Sequence, residues 1–193
     1  MNRDSIAKDF SWIECLKVAL KKNRRDPSSR YFQLATVRPD GSPANRTVVF
    51  RGFGRNEEIQ LISDTRSRKI SELKQKKNAA ICWYFSNTRE QFRISGFVKT
   101  EKNRESDLAQ ELWQKISEQA RSQFYWPEPG HKFEELAKDF SSIDVNSSAP
   151  PEEFCVLRFI PTEVDYLLLR GSPQTRFRSY LSVGSWIAER INA

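Results

Sequence analysis

The 193-residue sequence predicts a mainly β protein with flanking helices, built as a closed or nearly closed antiparallel barrel of about six strands. Three observations carry that prediction. Short runs rich in β-branched and aromatic residues follow one another between residues 31 and 101 and return after 154, separated by turn-forming residues. Only two long segments, 10–22 and 104–120, space their apolar residues as helices do. The composition, 38% hydrophobic with 12% aromatic and 30% charged residues, supplies the apolar side chains that disordered chains lack. One domain over 1–193 is expected, with a loop and helical excursion at about 122–153.

In chain order, Phe10, Ile13, Leu16, Val18 and Leu20 mark a first helix, ended by RRDPSSR. FQLATVR and NRTVVFRGF flank Asp40-Gly41, a strong hairpin signal. EIQLIS reads as the next strand. Ser63, Asp64 and Thr65 then offer side-chain acceptors at the start of a short amphipathic helix over RSRKISELKQK. AAICWYF and EQFRISGFVKTE pair across the SNTR turn, with Phe92, Ile94 and Val98 alternating toward one face. Leu108, Leu112, Trp113 and Ile116 line one side of a second helix over 104–120. A Pro- and Ser-rich stretch with some helical turns follows as the most mobile region. FCVLRFIPTEVDYLLLRG and a final strand pair close the sheet.

The net charge of +7 is uneven: residues 1–100 hold 21 Lys and Arg against 10 Asp and Glu, and the remainder 11 against 15. A basic half suits nucleic acid or a small phosphorylated ligand. Lys74, Lys76 and Lys77 are accounted for by the negative end of a helix dipole. Cys15, Cys82 and Cys155 are odd in number and set in apolar segments, as buried thiols of a reducing compartment are. With His131 the single histidine, zinc and Ser/His/Asp chemistry are not expected. No apolar run reaches the roughly 20 residues of a membrane span, and the N-terminus has no secretory pattern, so a cytoplasmic protein without membrane contact is expected.

The basic residues near strand ends suggest a chemistry. Backbone N–H groups at a helix start, a guanidinium and an ammonium together hold a phosphate. Ser67, Arg68 and Lys69 fall in a first helical turn after the expected Ser63 and Thr65 caps, and Arg46 and Arg51 fall on the preceding strand. Arg46 and Arg51 are five positions apart, so a regular strand sends them to opposite faces unless a bulge or the strand end intervenes. Trp83, Tyr84 and Phe85 offer a different reading, a barrel stacking on single-stranded nucleic acid, but consecutive strand residues alternate faces and core packing suits them better.

RTVVFRGF resembles the Arg-x-Val-x-x-Lys/Arg strand of the pyridoxamine 5'-phosphate oxidase family, ISDTRSRK its Ser/Thr-x-x-x-Ser-Arg-Lys turn, and REQFRISG its Arg-Gln-x-x-x-x-Gly strand. Arg176-Phe177 and WIAERINA resemble its closing segments, so the likeness runs over about 30–193. It implies an FMN-binding split β-barrel working as a homodimer, with FMN in clefts at the subunit interface. Arg46, Val48, Arg51, Ile62, Ser63, Ser67, Arg68 and Lys69 would bind FMN from one subunit, and Gln91 and Arg176 from the other. Arg46, Ser63, Arg68 and Lys69 would take the phosphate, backbone near Val48 and Ile62 the isoalloxazine edge, and Gln91 the polar ring atoms.

The departures from the family concern the substrate. Where true oxidases carry Arg-x-His before the closing Arg-Phe, this chain has GSPQTRF, and a Leu of YLLLRG stands in place of a Trp. Arg121-Ser122 resembles the substrate-phosphate segment but leads into FYWPEPG. The resemblance therefore implies hydride transfer from a small-molecule substrate to FMN in a remodelled pocket, with Arg121, Ser122, Trp126 and His131 as candidate substrate contacts. A surface loop position is the plainer reading of His131. The alternative is a flavin-binding or haem-handling module without turnover.

Overall fold

The computed structural model describes residues 10–132 and 149–193. The first helix, α1 (Trp12–Lys22), starts where the Ser11 hydroxyl accepts the Glu14 N–H at 3.4 Å and ends with Lys21 and Lys22 beside its terminal carbonyls. Trp12, Ile13, Leu16 and Ala19 form its buried stripe. Val18, expected on that stripe, faces solvent, because three- and four-residue steps from Trp12 pass through 16 and 19.

The strands are β1 (Tyr31–Val37), β2 (Pro43–Val49), β3 (Gly52–Phe53), β4 (Ile59–Asp64), β5 (Asn78–Phe85), β6 (Glu90–Glu101), β7 (Phe154–Leu168), β8 (Thr175–Ser182) and β9 (Ser185–Ile191). They form one antiparallel sheet along the path β2-β1-β5-β6-β7-β4-β3, with β8 and β9 continuing from β7. The sheet is wider than six strands because the 15-residue β7 serves two partners on one edge: Phe154–Phe159 pair with β4, and Glu163–Leu168 with β8. The curl brings β2 back against β4 without hydrogen-bonding the two together, so the barrel stays split along that seam.

Phe32, Leu34, Leu61, Ile81, Trp83, Phe92 and Tyr166 fill the curl beneath α1. Trp83 and Phe85 are fully buried, and the Trp83 indole donates to the Ser29 carbonyl at 2.9 Å. Only Tyr84 of that trio points outward, so no aromatic platform for nucleic acid forms there. Between β4 and β5 lies α2 (Arg68–Gln75).

The helix expected over 104–120 is two helices, α3 (Asp107–Lys115) and α4 (Glu118–Ser122). Ile116 is extended, and Ser117 restarts the helix by accepting the Ala120 N–H at 3.3 Å, a local bond that competes with helix continuation. Trp113 of α3 meets Phe124 and Phe154 in a second, smaller core. The helical turns expected further along the excursion, beyond residue 132, lie outside the described residues.

Candidate functional site

A cleft of about 440 Å³ opens along the split. Its floor comes from β2 and β4, one end from the turn between β4 and α2, and its outer wall from the segment around residues 120–129. β2 is an edge strand here, so backbone groups on its free side, around Thr47 to Val49, are not used by the sheet.

The β4–α2 turn is organised by Asp64. Its Oδ1 accepts the Arg66 N–H at 2.7 Å, and its carboxylate grips the Arg66 guanidinium at 2.6 Å. The caps expected at Ser63 and Thr65 are not formed: Ser63 lies within β4, one residue before its end, and Ser67 stands at the N-cap position without capping. The Ser67 hydroxyl instead donates to the Asp64 carbonyl at 2.7 Å and meets Ser63 Oγ at 3.1 Å. The first turn of α2 thus carries no side-chain cap, and its partial positive charge stays available.

Lys69 turns back over this serine pair. Its Nζ donates to Ser63 Oγ at 2.8 Å and to Ser67 Oγ at 3.0 Å. Burial pulls its pKa below the usual lysine value, and Arg46 adds to that, against smaller opposing effects of Cys155, Asp64 and Glu72. Cys155 lies under the turn, its thiol donating to the Ser63 carbonyl at 3.2 Å and pushed up to about 12 by burial. An ammonium held by neutral hydroxyls keeps its charge uncompensated by them and can take an anion as a further partner.

Both arginines of the β2 segment line this cleft. β2 ends at Val49, so Arg51 lies past the regular strand, where alternation no longer applies; its backbone N–H donates to the Gln60 carbonyl at 2.9 Å. Arg51 Nε is buried without a hydrogen-bond partner, and burial, then Arg30, lowers the guanidinium pKa. Arg46 is tied to Glu72 of α2 at 2.7 Å and to the Leu34 carbonyl at 3.1 Å. Burial raises the Glu72 carboxyl, but hydrogen bonds from Thr36 and Arg46 outweigh it and leave the pKa lowered. Val48 and Ile62 add apolar surface beside these charges.

Residues 9–102 match the family described as pyridoxamine 5'-phosphate oxidase, FMN-binding domain. The pyridoxine/pyridoxamine 5'-phosphate oxidase 2 of Arabidopsis thaliana is 38% identical over 192 residues, covering 94% of this chain and 96% of that one. The chain belongs to the pyridoxamine 5'-phosphate oxidase-related FMN-binding family. A crystal structure of such an FMN-binding protein from Nostoc punctiforme superposes with a TM-score of 0.86 at 40% identity, covering 95% of this chain and 98% of that chain. PhzG of Burkholderia lata, solved with tetrahydrophenazine-1-carboxylic acid, shares the fold with a TM-score of 0.73 at 19% identity over 94% and 92% of the two chains.

The family's motif residues divide between two places. Arg46, Val48, Arg51, Ile62, Ser63, Ser67 and Lys69 all line the cleft. Arg68 does not, although a Cβ on Gly130 would stand 3.6 Å from its Nε. Gln91 and Arg176 lie elsewhere, opposite Leu167 on either side of β7, and so share the outward face of the sheet with Tyr84. Asp165 holds Arg176 through bonds of 2.9 and 2.6 Å and Arg93 through one of 2.7 Å.

Of the candidate substrate contacts, Trp126 lines the wall, half-exposed, next to Phe124, Pro127 and Pro129. Arg66 secures that wall by donating to the Phe124 carbonyl at 3.2 Å. Arg121 instead donates to the Trp113 and Gln114 carbonyls at the end of α3, and Ser122 to the Gln119 carbonyl. Their neighbours Ala120 and Gln123 face the cleft in their place. His131 is exposed, 3.5 Å from Glu128, and not among the lining residues. Glu72 and Thr36, which hold Arg46, escaped the sequence reading; a lone carboxylate within RSRKISELKQKK was the signal for the first.

Proposed function

We propose that the chain binds FMN in the split and acts as an oxidoreductase, with hydride transfer from a small-molecule substrate, as a homodimer in the cytoplasm. The observation that carries this reading is the half-buried ammonium of Lys69 together with the buried, unpartnered Nε of Arg51, beside a free strand edge in a cleft of family-typical sequence. FMN fits these residues by chemistry: cations and hydroxyls for its phosphate, backbone of the β2 edge for the polar rim of its ring, and Val48, Ile62 and Trp126 for its apolar faces. When bound, FMN supplies the two-electron chemistry. The protein's own part is to neutralise charge at Lys69 and Arg51, to orient by the β2 backbone, and to exclude water with the Phe124–Pro129 wall.

The homodimer rests on Gln91 and Arg176. Both face outward on β6 and β8 and neither lines the chain's own cleft, so their family role at a flavin requires a cleft on a second copy. One domain spanning the chain accords with the single sheet. Purified protein should be yellow, with a flavin absorbance spectrum and a dimeric sedimentation coefficient. Aerobic assay with pyridoxamine 5'-phosphate then separates substrates: flavin without turnover points to a different substrate or to a binding module, the reading that the missing Arg-x-His set favours. Colourless protein that takes up no FMN would refute the proposal.

The affinity for FMN should fall on the alkaline side earlier than an ordinary lysine would dictate. A phosphate beside Lys69 raises its pKa relative to the empty cleft, where Arg46 of β2 opposes its charge and Asp64, Glu72 and Cys155 support it. Binding therefore takes up a proton between the two values: affinity is full below the flavin-free value and declines as pH rises from it toward the higher value of the bound state. Since burial sets the flavin-free value under the usual 10.5, the decline begins at lower pH than that. A second decline is expected on the acid side near the phosphate's own ionisation at about 6. Fluorescence titration across pH checks both limbs, and an affinity flat through the alkaline range would remove Lys69 from the phosphate site.

A further inference from the structure

Arg46 reaches the cleft from an edge strand, where a long side chain has one open flank and several rotamers to choose from. Three contacts take that freedom away. Glu72 Oε2 accepts Arg46 Nη2 at 2.7 Å, Nη1 donates to the Leu34 carbonyl at 3.1 Å, and Nη1 also meets Thr36 Oγ1. The Thr36 hydroxyl in turn donates to the same Glu72 oxygen, closing a ring across β1, β2 and α2. Arg46 Nε makes no hydrogen bond to any described residue. One end of the guanidinium is thus committed to the protein, and its Nε side is left for a ligand.

Glu72 is 5% exposed and sits one turn after Lys69 on α2. The helix that presents Lys69 to the cleft therefore also carries the carboxylate that fixes Arg46 on the opposite strand. We propose that Glu72 is a positioning residue for the phosphate of the bound flavin, acting through Arg46 and Thr36 to hold the β2 and α2 halves of the anion cradle in one fixed arrangement. The proposal rests on the FMN reading above. A buried ion pair retained for stability alone would serve every ligand equally, whereas a positioning pair serves the ligand's anionic group.

The test is flavin-fluorescence titration of the full-length protein, freed of flavin, with FMN and with riboflavin, which lacks the phosphate. E72A should weaken FMN about 10-fold, the scale of losing a group that orients a ligand contact, and leave riboflavin within about twofold. In the R46A background the same substitution should change FMN affinity by no more than about twofold, because the route through Arg46 is already cut. E72Q should recover most of the loss, since its amide oxygen still accepts from Arg46 and Thr36. Should E72A not fold, T36V carries the same FMN-against-riboflavin comparison with a smaller expected loss, because it removes the hydroxyl bonded to both Glu72 and Arg46 while their direct bond remains. Equal losses for the two flavins, a loss that persists in R46A, or tighter FMN binding in E72A would each overturn the positioning role. Wild-type protein that takes up no FMN would overturn this inference and the proposed function together, while wild type that binds FMN with affinity indifferent to Glu72 overturns this inference alone.

Discussion

Replacing Lys69 by methionine is expected to weaken FMN binding by roughly 100-fold while leaving the flavin-free protein folded. Truncating one member of a buried, hydrogen-bonded charge pair costs about 2–5 kcal/mol, and about 2.7 kcal/mol is a hundredfold in affinity. Lys69 qualifies because its ammonium is bonded to two serine hydroxyls, at 2.8 and 3.0 Å, and the described residues give it no salt bridge. In the empty cleft that charge is a burden: burial, then Arg46, lowers its pKa. Methionine keeps the length and apolar stem without the charge, so the thermal midpoint without flavin should stay level or rise. Ser63 and Ser67 remain bonded to each other at 3.1 Å. Adding R68A should contribute less than K69M does, because Arg68 is not among the cleft's lining residues. Unchanged FMN affinity in K69M would move the phosphate away from the β4–α2 turn.

The sheet and the cationic side of this cleft were legible in the sequence because both are written in local pattern. Alternation marked β5 and β6, Asp40-Gly41 marked the first hairpin, and Arg46, Arg51 and Lys69 stood out as charges at strand ends. What escaped was set by contacts distant in sequence or by competition within a few residues. Nothing local says that Arg46 binds Glu72, 26 positions away, or that Arg176 of β8 binds Asp165 of β7. Ser117 defeated the periodicity of 104–120 because one hydroxyl can end a helix that apolar spacing supports. Ser63 looked like a cap by composition, yet Asp64 took over the turn and left Ser63 to Lys69. The parity conflict between Arg46 and Arg51 was real for a straight strand and disappears because β2 ends between them.

Gly96→Ala is expected to destabilise the protein by about 3 kcal/mol, lowering the thermal midpoint by about 6–12 °C for a chain of this size. Gly96 lies at the register shift between β6 and β7: Ser95 pairs with Glu163, Gly96 with Pro161, and Thr162 is the extra residue. A Cβ there would stand 2.1 Å from the Ile160 carbonyl oxygen and 3.0 Å from Phe159 Cε1. The first of these is backbone, fixed by the pairing of Phe97 with Ile160, and cannot swing aside as a flexible side chain would. The glycine that closes the family-like REQFRISG segment is thus required by strand packing, five residues from Gln91, and its place in that segment reflects how β6 crosses β7. Gly41→Ala supplies the contrast. Gly41 has φ +87° in an open hairpin turn with nothing within 4 Å of an added Cβ, so only backbone strain of about 1 kcal/mol is expected. Thermal unfolding of the two variants separates the causes, and equal midpoints would mean that the β6–β7 bulge yields to a methyl group at little cost. If it does not yield, the damage reaches function by a short route, since β6 and β8 flank β7 and carry Gln91 and Arg176 on their outward face. In the proposed homodimer, G96A should then lose flavin on mild warming, before global unfolding, because the outward row that would serve the second subunit's cleft is displaced first.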